Sequence, residues 1–574
     1  MGIRQLQLFI RKYVPTGYLD VSLIDECEEF SRENETRPIL LIDLHGLMRP
    51  LVKDQEEIFC GIRHNVVNEK ADKFLKKMSK IADLIFFNDG PIFDSKLPEW
   101  MKRQNEQFVK SQIMITKKID KKIPLKRIIA GESELMSPTS HLKIIEILAQ
   151  KYGMLKTAMN RECGAEMSQF ASQNQRVLGI LADDSDFLVY PGNWKYFSLR
   201  DLNQTTLITK EYNRKALREF LSLNDQELVL LSTLNGNDVI SFEKDTFCFH
   251  KSLIQQRNNP KIRFPAIANY IRSHRLFGND NVAVEVAYAI YRHRSEYTSN
   301  KNKFVKKVQD SIDFYDIDFE IPEIKDDTQY FCSENSLIFA LSILKLMPFT
   351  FTLNYFDQER PANYFESVNS MFSKQLGIIL NDKSVEQYKI YSKLSYNDPE
   401  YSIIEVDKST PNILIPPLIE LLDRSEFPKH DRIRFKLLKW LISEENLHSV
   451  NLKSVPENIL KDILVLVYMV NEGFIDVKEA DIILLSIKHV RDGCVLKNLK
   501  APEILHPRAF YASILFSKCH IYVARSLEVT GLKDFEKIHN FDGVLFHYLF
   551  LEHIDEDFDQ AMLLGNLAEY RYYA

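Results

Sequence analysis

The stretch Val177–Asp186, VLGILADDSD, constrains this chain more than any other. It opens as a continuous apolar run of strand length and closes with Asp183, Asp184 and Asp186. A short apolar run of this kind suits a strand buried on both faces of a parallel sheet. In open α/β sheets, chemistry gathers just beyond the carboxyl ends of such strands. Carboxylates crowded there repel one another, and a bound divalent cation relieves the repulsion. Taken alone, the segment also reads as a plain polar junction between strand and loop. The same arrangement recurs, with RPILLID ending at Asp43, IADLIFFND at Asp89, and the apolar run of LVLLSTLNGND leading to Asp238.

The elements between these runs point to alternating strands and helices. Residues 3–13 read as a short helix, followed by a loop at Pro15–Gly17 and a second helix to about Phe30. Asn65 to Met78 reads as a helix with charges on one face, and Trp100 to Arg127 as a long basic helix that Pro124 stops. A helix over His141–Tyr152 and another carrying Glu162 and Glu166 lead into the Val177 strand. A short strand pair and a helix near Lys215–Leu221 follow. This alternation indicates an α/β domain with a largely parallel sheet. Residues 1–240 form the expected core, and 241–300 a helical extension. After a polar connector over Asn300–Asp327, residues 330–574 read as an α-helical domain. Its amphipathic segments include NSLIFALSILKLM, RIRFKLLKWLIS, NILKDILVLVYMV and EADIILLSIKHV.

Asp43, Asp89, Asp184 and Asp186 therefore sit at predicted strand ends along one sheet edge, and Asp238 is expected there in the same way. Glu162 and Glu166, four apart, share a helical face. Such an acidic set needs counter-charge. With no Cys or His ligand set beside it, Mg²⁺ or Mn²⁺ is favoured over zinc. Two such ions roughly 4 Å apart can activate water and stabilise a leaving oxygen in phosphodiester hydrolysis. His45, next to Asp43, reads as an ordinary partly buried histidine, and Cys163 as a packing residue without an identifiable base.

In this order, MGI, strand-terminal Asp43, FFNDG, the glutamate pair, DDSD and GND resemble the flap endonuclease/XPG superfamily, which has a PIN-like fold. DDSDF and LNGND are similar to the asteroid branch, and FFN followed by EWMKRQ is similar to the constitutive coactivator of PPAR-gamma group. The resemblance covers roughly residues 1–294. It implies a PIN-like α/β nuclease core, with Asp43, Asp89, Glu162, Glu166, Asp184, Asp186 and Asp238 as ligands of two Mg²⁺ or Mn²⁺ ions. It implies that Asp183 supports them, and that Lys96 and Arg103 contact the scissile phosphate and stabilise transition-state charge. The chain departs from the family in two places. The flap nucleases' closely spaced E-x-E is here Glu162-Cys-Gly-Ala-Glu166, so one glutamate is expected to be displaced from the metals. The glycine-rich hairpin that grips duplex DNA is replaced by VISFEKDTFCFHKS, which has no glycine to allow a close phosphate approach.

A net charge of −6 gives no global attraction to nucleic acid, so binding has to come from a local patch. Lys102, Arg103, Lys110, Lys117, Lys118, Lys121, Lys122, Lys126 and Arg127 supply one, and Phe108 offers a stacking face. Trp100 reads as a core anchor. The expected partner is single-stranded or structured DNA or RNA, with protein partners through the helical C-terminal half. Scattered single cysteines without a CxxC pair suit a reducing compartment, and the charged N-terminus does not read as a signal peptide. No apolar run is long enough for a membrane span, so a nuclear or cytoplasmic location is expected. The alternative function is a catalytically weak or inactive PIN-like scaffold or coactivator that binds RNA or protein.

Overall fold

The computed structural model describes residues 2–52, 54–90, 97–114, 119, 121–130, 140–158, 161–256, 258–274, 281–320, 346–347, 364–381, 387–392, 402–423, 427–443, 447–493, 498–538, 540–555, 564 and 569. By contact the chain forms two compact units that interleave in sequence. The first comprises Met1–Pro50, Phe74–Glu99 and Tyr152–Glu323, and the second Leu51–Lys73, Trp100–Lys151 and Ile324–Ala574.

Among the described residues the first unit is built on a seven-stranded sheet. Its strands are β1 (Tyr18–Ser22), β2 (Ile39–Asp43), β3 (Asp83–Asn88), β4 (Met154–Thr157), β5 (Val177–Ala182), β6 (Lys195–Ser198) and β7 (Ile208–Tyr212). Their order across the sheet is β1-β7-β6-β5-β2-β3-β4. The run from β4 to β6 is parallel, and β7 and β1 add antiparallel edge pairs. The expected class, an α/β core with a largely parallel sheet followed by a mostly helical region, is what the chain adopts. β2 and β5 are apolar almost throughout because both faces are covered, and Leu40, Leu41, Ile180 and Leu181 are fully buried. Gly179 permits β6 to lie close, since a β-carbon there would sit 2.7 Å from the Lys195 carbonyl oxygen and 2.6 Å from the Phe197 ring.

Several local readings are corrected. β1 precedes the helix expected after Pro15–Gly17, and that helix spans Leu23–Asn34 with Ser22 accepting from the Asp25 amide. Tyr18 in β1 packs on Tyr212 of β7, ring centroids 4.8 Å apart, and this cross-strand aromatic pair favours the strand. LVLLSTLN is not a strand but part of the helix Asp225–Asn235, started by an Asn224/Glu227 capping box. An apolar run looks alike in both states, and here the cap decides. The connector expected over 300–327 contains the helix Lys301–Asp313, which buries Phe304 and Val308. The basic helix spans Leu97–Met114, and Pro124 begins a further helix, Leu125–Ala130, by accepting from the Arg127 amide. NSLIFALSILKLM lies outside the described residues except for Leu346–Met347, which form a short strand.

The second unit is helical around Pro507–Val529, a helix buried nearly along its length. Helices Tyr364–Ile379, Phe427–Ile442, Glu457–Asn471 and Gly543–His553 line the same core. Trp100 packs partly buried against it, as expected of an anchor. Gln387–Ser392 and Ser402–Asp407 form an antiparallel pair, with Leu346–Met347 alongside the first of them. The segment 51–73 is fastened to this unit by a buried ion pair. Arg63 donates through Nε to Asp542 Oδ2 at 2.9 Å, and both residues are 2% exposed. Asp542 also caps Gly543–His553 by accepting from the Leu545 amide. Removing one partner strands a buried charge. Arg63→Ala is therefore expected to destabilise the unit by about 3–5 kcal/mol, and Arg63→Met with Asp542→Leu to recover much of that. Urea midpoints of the two variants check this.

Candidate functional site

Parallel pairing decides where the carboxylates fall. Asp43 lies opposite Phe87, Ile42 opposite Leu181, and Ala182 opposite Ser198. The end of β2, the Asn88–Asp89 step and the Asp183–Asp186 turn therefore leave the sheet side by side. The chain leaves β2 toward β3 and β4 on one side and returns to β5 on the other, which makes this edge a topological switch point.

The turn after β5 is tightly held. Asp184 accepts from the Asp186 amide at 3.1 Å, starting the short helical turn Ser185–Leu188. Asp183 braces the neighbouring loop by accepting from the Arg200 amide at 2.8 Å. The Ile3 amide donates to Ser185 Oγ at 2.7 Å. Gly2, at φ +45°, lies so close that a β-carbon would sit 2.4 Å from Asp184 Oδ1. Only glycine accommodates both that backbone and that approach.

The electrostatics register the crowding. The Asp43 carboxyl is pushed up to about 6 by burial, then by the charges of Asp89 and Asp184, against the pull of His45 and the Gly46 backbone. His45 Nε2 lies 3.8 Å from Asp89 Oδ2. Burial pushes the Cys163 thiol well up, helped by Asp89, Asp43, Glu162 and Glu166, which leaves it a buried packing residue rather than a nucleophile. The Tyr190 hydroxyl, in a residue 1% exposed, is pushed well up by burial and by Asp186, Glu162, Asp184 and Asp238. It has no hydrogen-bond partner among the described residues. Every carboxylate expected at the site thus acts on Cys163 or Tyr190, and Glu162 acts on both.

Three of them sit differently from expectation. Glu162 does not share a helical face with Glu166. It is the residue before the helix Cys163–Gln173, in extended backbone, while Glu166 is in the first turn. Glu166 reaches back to accept from the Arg161 amide at 2.9 Å. Asp238 follows a helix rather than a strand. Gly236 ends that helix at φ +100°, and Asn237 Oδ1 closes the turn by accepting from the Val239 and Ile240 amides. Asp186, 4% exposed, accepts a hydrogen bond from Tyr315 at 2.8 Å. Sequence reasoning did not single out Tyr190 or Tyr315. Their only local signal is an acidic residue within four positions, Asp186 for Tyr190 and Asp316 for Tyr315.

The donor set is carboxylate oxygen throughout, the chemistry of a hard divalent cation. Among the described residues no three carboxylates are already drawn around one ion position. The basic residues are less fully placed. Lys96, Lys117 and Lys118 lie outside the described residues, as do the side chains of Phe108 and Lys110. Arg103, half-buried, belongs to the second unit, as do exposed Lys102, Lys121 and Lys122, with Lys102 3.8 Å from Glu106.

No family model matches the chain. It is similar to the constitutive coactivator of peroxisome proliferator-activated receptor gamma, as the motifs imply. The Bos taurus protein is 28% identical over 242 residues, 42% of this chain and 33% of that protein. The Homo sapiens protein is 28% identical over 244 residues, 42% of this chain and 26% of that protein. The chain thus spans about a third or less of the length of the curated relatives it matches. Among solved structures, the catalytic core of Rad2 in complex with DNA substrate overlaps 60% of this chain and 99% of its own, at 14% identity and a TM-score of 0.30. Human GEN1 in complex with Holliday junction DNA overlaps 76% and 97%, at 12% identity and a TM-score of 0.30. Global similarity at that level says nothing about activity.

The Asp43 environment has a measurable consequence. A carboxyl whose folded value is raised from 3.8 to about 6 contributes its stability fully below about pH 4 and loses it as pH rises through 6. In EDTA, Asp43→Asn is expected to raise the urea midpoint at pH 7.5, with a gain on the order of 1–3 kcal/mol that vanishes near pH 4. Midpoints across pH 4–8 check this.

Proposed function

We propose that residues 1–240, apart from the segments 51–73 and 100–151 that belong to the second unit, form the core of a metal-dependent nuclease that hydrolyses phosphodiesters in single-stranded or structured nucleic acid. The observation that carries this reading is the meeting of Asp43, Asp89 and Asp184 at one sheet edge, where burial and then the charges of Asp89 and Asp184 push the Asp43 carboxyl up. Like charges crowded at one edge persist where a bound cation compensates them. Asp43, Asp89, Glu162, Glu166, Asp184, Asp186 and Asp238 would hold Mg²⁺ or Mn²⁺, with Asp183 supporting the loop between them. When bound, two such ions supply an activated water and stabilisation of the leaving oxygen. The chain's own residues orient that chemistry: Asp184 fixes the turn that presents Asp186, and Tyr190 offers a donor to whatever oxygen enters among the carboxylates. Lys96 and Arg103 are proposed to stabilise charge on the scissile phosphate. Lys102, Lys110, Lys117, Lys118, Lys121 and Lys122 are proposed to track the backbone of the substrate. The helical extension 241–300 and the domain 330–574 would then contribute substrate handling or protein contacts. A nuclear or cytoplasmic location gives access to such substrates.

A second reading is a non-catalytic scaffold or coactivator. It is favoured by Glu162 standing outside its helix, by the missing glycine hairpin, and by the similarity to a constitutive coactivator. Among the described residues no helix is long and apolar enough to cross a membrane, and neither reading requires one.

One assay separates the two. Purified full-length chain with Mg²⁺ or Mn²⁺ is expected to cut labelled flaps, overhangs or RNA, and Asp184→Ala with Asp186→Ala to abolish cutting. Cutting that survives in the double variant sinks the assignment. A wild-type chain that binds RNA or protein and cuts nothing favours the scaffold.

A further inference from the structure

Residues 311–319, which composition places in a connector, bond to each of three elements that carry proposed ligands. Ser311 Oγ accepts from Asn237 Nδ2 at 2.8 Å, in the turn that holds Asp238. Tyr315 donates to Asp186 Oδ1 at 2.8 Å. Gln169, on the helix of Glu166, donates through Nε2 to the Ile317 carbonyl at 2.9 Å and to the Phe319 carbonyl at 2.5 Å. All of these residues lie within the first unit. Tyr315 is 2% exposed, and its ring lies 5.2 Å from that of Tyr190, the hydroxyl of which faces the carboxylates.

We infer that residues 311–319 are a strap that sets the relative positions of the three ligand-bearing elements, and that Tyr315 is the positioning residue for Asp186. The ligand role rests on the metal-site reading above, whereas the strap itself needs no metal. An unrestrained carboxylate turns about its Cβ–Cγ bond. A phenol donating to one oxygen restrains that rotation. Groups that orient ligating side chains in this way commonly control metal affinity about 10–100-fold. The three attachments come from segments far apart in sequence, so a single strap holds together what the sheet edge alone leaves to separate loops.

Tyr315→Phe removes the donor and keeps the ring. In the full-length chain in EDTA, hydrogen exchange at residues 184–190 is expected to rise about tenfold, as loss of a hydrogen bond to a charged group would produce. Unchanged exchange there overturns the strap. Mn²⁺ affinity, read by electron paramagnetic resonance, is expected to fall roughly tenfold or more. Phe304→Leu, which loosens the stacked Tyr291 contact on the preceding helix, serves as the control for general destabilisation and is expected to leave that affinity unchanged. Raised exchange with unaltered Mn²⁺ affinity overturns the positioning role. If the wild-type chain shows no Mn²⁺ binding that depends on Asp184 and Asp186, the metal reading and the positioning role fail together, and hydrogen exchange still decides the strap.

Discussion

Parallel pairing of β2 between β3 and β5 forces like charges together, and the rest of the first unit can be understood from that constraint. Asp43, Asp89 and Asp184 each follow an apolar strand whose burial fixes its register, because a shift of one residue would turn buried side chains outward. Separation of the carboxylates is therefore available only at the cost of the core. The strain shows in the raised Asp43 carboxyl, and backbone donors answer the crowding, Gly46 at Asp43 and Arg200 at Asp183.

The same edge draws in residues with no motif of their own. Tyr190 and Tyr315 bring phenols into an acidic setting, one donating to Asp186 and one facing four carboxylates. Deep burial keeps both neutral, so they act as dipoles that orient charge without adding any. Ser311 and Gln169 complete a set of bonds between segments separated by 74 and 148 residues.

The second unit solves a different problem. Its long central helix is covered by segments from both halves of the sequence, and Arg63 with Asp542 joins a short early segment to the last long helix. A buried bidentate pair of this kind contributes specificity of docking, since each charge is tolerated only while the other is present.

Local signals carried much of this protein. Continuous apolar runs ending in aspartate marked β2, β3 and β5, because burial on both faces writes itself into neighbouring residues. Asp43, Asp89, Asp184 and Asp186 were legible for that reason. The placement of Asp238 after a helix was not, because LVLLSTLN suits either state until the Asn224/Glu227 cap is weighed. Glu162 stepped out of its helix by one residue, within the usual uncertainty of a helix start. What the sequence by itself determined was an acidic sheet edge. The tertiary structure decided what surrounds it: the Tyr315 bond to Asp186, the unpartnered Tyr190 hydroxyl, and the capture of residues 51–73 by the helical unit. Those contacts join residues distant in sequence, and pairings of that range leave no periodicity for local reasoning to read.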